Sequence, residues 1–97
     1  MSAAPKPVAL KLLTKPGCHL CDDARNVIDR VRDELSPRYS TSLEEVNILD
    51  EEYLVSMYSE DIPVLFVNGK QHAVWKVDET RLAAAIEKAA RPGFFSQ

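Results

Sequence analysis

A chain of 97 residues is long enough for one small domain, and its 45% hydrophobic and 28% charged content is typical of a globular protein. Its net charge of −3 argues against a general nucleic-acid binder, and no apolar run is long enough to cross a bilayer. We therefore expect neither nucleic acid nor a membrane among its partners.

The domain is expected to span residues 8–91, between a flexible lead-in at residues 1–7 and a short tail at residues 92–97. The lead-in lacks the apolar segment of a secretory signal and the arginines of a transit peptide. The expected compartment is therefore the reducing cytoplasm.

The first predicted elements are a strand and a long helix. Val8–Leu13 is a short apolar run typical of a strand, and the turn residues 14–17 end it. From His19 to Leu35 apolar residues recur at helical spacing, which predicts an amphipathic helix that ends at Ser36-Pro37. Its apolar stripe consists of Leu20, Ala24, Val27, Ile28, Val31 and Leu35.

The middle of the chain predicts a strand, a short helix and a buried strand. Leu43–Leu49 alternates loosely and predicts a strand, and Glu51–Tyr58 predicts a helix. The continuous apolar run Val64–Val67 is typical of a central strand. The side chains of the short helix available for packing are Leu54, Val55 and Met57.

The end of the chain predicts a hairpin and a covering helix. Asn68-Gly69 is a strong hairpin signal that leads into a fourth strand near Gln71–Val74. Asp78 can cap a last helix, Glu79–Ala90. The order β-α-β-α-β-β-α predicts a three-layer α/β domain with a mixed four-stranded sheet. The inner face of the last helix is expected to carry Leu82, Ile86 and Ala89.

The only two cysteines, Cys18 and Cys21, lie three residues apart. A disulfide framework of a secreted domain would use more cysteines at wider spacing. A loop this short also restrains the unfolded chain very little. The spacing therefore indicates chemistry rather than a structural cross-link.

The predicted position of Cys18, between the first strand and the first helix, favours a reactive thiolate. Cysteines at helix N-termini have a pKa lowered from about 8.5 into a range of roughly 3.5 to 7.5. Cys21, one turn later on the apolar side, is expected to remain a buried thiol. Cys18 would then attack a substrate disulfide, and Cys21 would resolve the mixed disulfide. The neighbouring His19, Asp22 and Asp23 have opposing effects and leave the reduction potential open.

The segment from Leu13 to Cys21, LTKPGCHLC, resembles the active-site turn of glutaredoxins, in particular a small glutaredoxin-like subfamily with a K-P-G-C-x-L-C turn. Ile62-Pro63, before the third strand, is similar to the cis-proline segment of the wider thioredoxin superfamily. The resemblance covers about residues 8–90. It implies a thioredoxin-like fold with Cys18 and Cys21 as a catalytic, redox-active disulfide. It also implies that Lys15, Ile62 and Pro63 bind the substrate.

The function implied by this resemblance is thiol–disulfide exchange in cell redox homeostasis and electron transport. The expected substrates are disulfide-containing proteins or small molecules, and the expected donor is glutathione or a thioredoxin-reductase-type protein. No tightly bound cofactor or metal is expected, and the chain is expected to be a monomer. The segment Gln71–Asp78 lacks the Gly-Gly pair with which glutaredoxins hold glutathione, which argues against a glutathione site.

Two other functions are compatible with the same residues. The chain could be a redox-inactive binding module that kept the fold, or a metal carrier that uses the cysteine pair. A structural zinc site needs four ligands, and only His19 and His72 are available besides the cysteines. His72, Trp75 and Lys76 either border a substrate groove or simply follow the hairpin.

Overall fold

The computed structural model describes residues 4–92. Its strands are β1 (Val8–Thr14), β2 (Thr41–Asn47), β3 (Val64–Val67) and β4 (Lys70–Val74). Its helices are α1 (His19–Leu35), α2 (Glu52–Tyr58) and α3 (Glu79–Ala89), with a 3-10 turn at Ile48–Asp50. The order β-α-β-α-β-β-α confirms the predicted fold class. Residues 1–3 of the predicted lead-in and 93–97 of the predicted tail lie outside the described residues.

The four strands form one mixed sheet in the order β2-β1-β3-β4. β1 runs parallel to β2 and antiparallel to β3, and β4 is the antiparallel hairpin partner of β3. Leu13 near the end of β1 is paired with Val64 at the start of β3. The residues that follow β1 and those that precede β3 therefore meet at the same edge of the sheet.

One face of the sheet is covered by α1 and α3. Leu10 and Leu12 of β1 and Leu65 of β3 project into this layer and are at most 2% exposed. They pack against the predicted apolar stripes of the two helices. The buried helix residues of this layer are Ala24, Ile28, Val31, Leu82 and Ile86. The main core thus agrees with the helical spacing read from the sequence.

The opposite face carries a smaller core beneath α2. Leu13 and Val64 alternate away from the main core and pack with Leu54 of α2 and Ile48 of the 3-10 turn. Cys21 of α1 belongs to the same cluster. The second cysteine is thus part of the packing at the edge of the sheet where β1 ends and β3 begins.

The main differences from the expectations concern one strand and two side chains. The second strand begins at Thr41 instead of Leu43. The second strand ends at Asn47 instead of Leu49, because the Asn47 side chain accepts a hydrogen bond of 2.9 Å from the Leu49 N–H and turns the chain into the 3-10 segment. Met57, expected to pack, is 60% exposed because α2 turns only Leu54 fully inward. Leu20, expected on the apolar stripe, is 49% exposed because it lies in the first turn of α1, beyond the main core.

The segment before β1 and the β3–β4 hairpin are fixed by backbone hydrogen bonds. Residues 4–7 have no regular structure, but the Lys6 N–H donates to the Ala90 carbonyl at 2.8 Å. Asn68 and Gly69 both have positive φ, 50° and 81°, as a tight hairpin turn requires. The Asn68 side chain also accepts from the Ala9 N–H at 2.8 Å. The predicted hairpin is confirmed.

No helix within residues 4–92 combines the length and the apolar character that a membrane span requires.

Candidate active site

The turn between β1 and α1 delivers Cys18 to the start of the helix. Gly17 has a φ of +74°, a left-handed conformation that glycine adopts without steric cost. Cys18 follows in an extended conformation, with φ −98° and ψ 109°, and is the N-cap of α1. The turn residues thus break the strand and begin the helix within a few positions, as their composition predicted.

Cys18 and Cys21 are joined by a disulfide, with 5.2 Å between their Cα atoms. The Cys21 N–H donates to Cys18 Sγ at 3.2 Å, so the sulfur takes the place of the side-chain oxygen that usually caps a helix. Cys18 is partly exposed, whereas Cys21 is 1% exposed. The two cysteines therefore differ in access to solvent in the way their proposed roles require.

Ile62 packs against the same pair, and Pro63 follows it in the chain. The Ile62–Pro63 peptide bond is cis, as the resemblance implied. The Ile62 side chain, 7% exposed, packs in one cluster with Cys18, Cys21 and Leu13. The Pro63 ring is fully buried. The structure thus brings three of the five predicted site residues into one cluster and places Pro63 directly after Ile62 in the chain.

Lys15, the fifth predicted residue, is exposed in the turn before Cys18. Within residues 4–92 it forms no ion pair. His19, the first residue of α1, is also exposed. Both are accessible to a molecule that binds at Cys18, and their roles stay predictions.

Arg25 forms a charge network beside the first turn of α1 that the sequence did not indicate. Its guanidinium donates two hydrogen bonds to Glu45, at 2.8 and 2.9 Å, and one to Asp22 at 2.8 Å. The hydrogen bonds to Glu45, and then to Asp22, raise the pKa of Arg25 above its ordinary value. Asp22 is thereby paired with a cation. Its charge opposes a thiolate at Cys18 less than the sequence suggested.

Trp75, for which the sequence leaves open a place at a substrate groove or a position that simply follows the hairpin, is fixed near the site by its backbone and by hydrogen bonds. It follows β4 with a φ of +68°, a conformation that costs a bulky residue about 1 to 3 kcal/mol. Two hydrogen bonds hold it there: its N–H donates to the Pro63 carbonyl at 2.8 Å, and its indole N–H donates to the Glu60 carbonyl at 3.0 Å. The indole is nevertheless 55% exposed. The sequence signal was the position of a tryptophan directly after the predicted fourth strand.

His72 lies on β4 among Arg81, Lys70 and Lys88 at the edge of α3, away from the dithiol. Burial, and then repulsion from Arg81, lower the pKa of His72 below its ordinary value of 6.5. As the pH falls below the unfolded-state pKa, the unfolded chain takes up this proton first. His72 thus contributes stability that is complete above that pKa and is lost as the pH falls through the folded-state value.

The His72→Gln variant should therefore lose less stability between about pH 7 and pH 5.5 than the unchanged protein. Urea unfolding at several pH values measures this difference. The Arg81→Gln variant, which removes the second cause, should fall between the two. Identical pH dependence in the unchanged protein and His72→Gln would contradict the assignment.

Within residues 4–92, no group of three or more His, Cys, Asp and Glu side chains is arranged to hold a metal ion.

Three comparisons with known proteins bear on this site. The profile of the family described as "Glutaredoxin-like domain (DUF836)" matches residues 9–87. A glutaredoxin-like protein of Dictyostelium discoideum is 27% identical over 88 residues, which are 89% of this chain and 82% of that protein.

Solved structures agree with these matches. A structural-genomics target protein from X. campestris is 30% identical, with a TM-score of 0.67 over 82% of this chain and 97% of that one. A thioredoxin from Halobacterium salinarum is 19% identical, with a TM-score of 0.59 over 95% of this chain and 98% of that one, and it shares the fold.

Proposed function

The chain belongs to the glutaredoxin-like domain family, and we propose that it is a thiol–disulfide oxidoreductase that uses Cys18 and Cys21. The observation that carries the proposal is the asymmetry of the pair. Cys18 is partly exposed at a helix N-terminus, and Cys21 is buried within disulfide-bonding distance of it. An inert structural pair would need no such difference in exposure.

The electrostatics around Cys18 favour a nucleophile. The N-terminus of α1 presents unpaired N–H groups and a partial positive charge, which stabilise a thiolate. The Cys21 N–H, already aimed at Cys18 Sγ, is one such donor. A substrate sulfur can approach from the solvent side of Cys18, next to the exposed Lys15. We propose that Lys15 contacts the substrate through its side chain, and that Ile62 and Pro63, whose side chains are buried, contact it through their backbone.

Substrate reduction proceeds in two exchanges. The Cys18 thiolate attacks one sulfur of the substrate disulfide, that S–S bond breaks, and the first substrate thiolate leaves and takes a proton. Cys21, once deprotonated, attacks Cys18 Sγ, forms the Cys18–Cys21 disulfide and releases the second substrate thiol. The substrate gains two electrons and the enzyme dithiol loses two.

A thiol donor must then reduce the enzyme. Two equivalents of a monothiol such as glutathione, or one dithiol of a thioredoxin-reductase-type protein, supply these two electrons. We further propose that the chain works in the reducing cytoplasm, since its two cysteines are used for exchange and not as a secreted framework. We also propose that it works as a monomer.

The test is turnover with a simple disulfide. Hydroxyethyl disulfide is mixed with glutathione and a glutathione-regenerating system, and the rate is measured with and without catalytic amounts of the chain. The proposal expects a rate proportional to the amount of chain. No acceleration with this donor, and none with dithiothreitol in its place, would overturn it.

A further inference from the structure

A cleft lies between the start of α1 and the segment that follows β4. One wall is the first two turns of α1, with Leu20, Asp23 and Ala24, and the other is the segment that follows β4, with Trp75 and Lys76. The cleft has a volume of about 350 Å³. Leu20 and Trp75 are about half exposed, at 49% and 55%. Two large apolar side chains therefore face water at this cleft beside the dithiol.

Hydrogen bonds fix the position of Trp75 at the cleft. A left-handed backbone conformation disfavours a tryptophan, yet two hydrogen bonds tie this residue to the Pro63 and Glu60 carbonyls. Its link to Pro63 joins the cleft wall directly to the segment that packs against the cysteines. An indole fixed in this way is a rigid apolar surface that loses little entropy when another group packs on it.

Carboxylates outnumber cations in and around the cleft. Asp23 and Lys76 line it, and Glu60 and Asp61 lie on the segment whose Glu60 carbonyl accepts the hydrogen bond of the indole. Among the described residues none of the carboxylates of Asp23, Glu60 and Asp61 is in an ion pair, and the nearby cations are Lys76 and, in the turn before Cys18, Lys15. A ligand with a positive charge is favoured here over an anion. Oxidised glutathione, with more carboxylates than amines and no large apolar side chain, fits poorly.

We propose that Trp75, with Leu20, is a specificity-determining residue that selects polypeptide disulfides carrying a large apolar side chain and a basic residue next to the reacting cysteine. This inference rests on the proposed function and names its substrate class. The apolar side chain packs between Leu20 and Trp75, and the basic residue meets Asp23 and Glu60. Cys18 then attacks the cysteine sulfur of the bound segment and expels the other sulfur as a thiolate.

The test uses short peptides whose single cysteine is joined by a disulfide to an aromatic thiol, so that the released aryl thiolate is measured by its absorbance. The neighbours of the cysteine are either leucine and arginine or serine and glutamate. We expect kcat/KM to be about tenfold higher for the leucine–arginine peptide, from partial burial of one leucine side chain and the charge contact. Hydroxyethyl disulfide, which carries neither an apolar nor a basic side chain, serves as the reference substrate.

The Trp75→Gly and Leu20→Ser variants should reduce this preference to about twofold or less while retaining the rate with hydroxyethyl disulfide. Glycine accepts the backbone conformation of residue 75, and position 20 is exposed, so both variants keep the fold. Tyr53→Ala removes an equally exposed aromatic residue, 60% exposed on α2, and should leave the preference unchanged.

The outcomes separate the two proposals. Turnover of hydroxyethyl disulfide without any peptide preference, or a preference that survives in both Trp75→Gly and Leu20→Ser, overturns the inference and leaves the oxidoreductase intact. No turnover of any disulfide overturns the oxidoreductase itself.

Discussion

The Cys18→Ser variant is expected to lose disulfide-exchange turnover by about a thousandfold or more, because a serine hydroxyl does not supply the nucleophile. Cys18 is the partly exposed member of the pair and lies at the N-terminus of α1. No other described cysteine can reach a substrate, since Cys21 is 1% exposed. The measurement is the hydroxyethyl disulfide assay with equal amounts of each protein.

The fold of Cys18→Ser provides its own control. Serine is among the preferred N-cap residues, so α1 should begin at the same position. The unfolding free energy of the variant should stay within about 1 kcal/mol of that of the reduced unchanged protein. A variant that is folded and still turns over within tenfold of the unchanged protein would exclude Cys18 as the nucleophile.

The Cys21→Ser variant is expected to accumulate a mixed disulfide on Cys18, because the resolving thiol is missing. After incubation with oxidised glutathione, mass spectrometry should find one glutathione attached to Cys18 in nearly all of the protein. The unchanged protein should instead carry only its internal disulfide. Turnover of substrates whose reduction requires both thiols should fall in the Cys21→Ser variant.

The Cys21→Ser variant places a hydroxyl in a buried position, so a second variant at position 21 is needed as a control. Cys21 packs with Leu13 and Ile62, and a hydroxyl without a partner there costs about 1 to 3 kcal/mol. Cys21→Ala removes the thiol without introducing a polar group, and it should trap the same adduct. If both variants remain free of adduct while Cys18→Ser acquires one on Cys21, the two roles are reversed.

The sequence predicts the fold well where one physical rule dominates. The apolar spacing and the Ser36-Pro37 stop define α1 to the residue, and Asp78 caps α3 as its side-chain chemistry requires. β2 ends two residues early because a single side-chain hydrogen bond from Asn47 competes with the strand pattern. Hydrophobic alternation continues through Ile48 and does not reveal that bond.

The residues of the site likewise include some that the sequence predicts and some that it does not. Cys18 and Cys21 are evident from spacing and from their position at a strand–helix turn. The sequence leaves the role of Trp75 open and gives no sign of a role for Arg25, because both depend on tertiary partners. The Pro63 and Glu60 carbonyls accept hydrogen bonds from the Trp75 backbone and indole, and Glu45 on β2 accepts from the Arg25 guanidinium. Contacts between residues so far apart in sequence leave no periodic signal.

The central claim is that Cys18 and Cys21 cycle between dithiol and disulfide under cellular conditions. The most direct measurement equilibrates the protein in buffers of reduced and oxidised glutathione, traps free thiols by alkylation and counts them by mass. A reversible two-electron transition between about −300 and −120 mV, the range of exchange proteins, is the predicted result. A pair that forms no internal disulfide at any ratio across that range would contradict the account and leave a glutaredoxin-like fold without its chemistry.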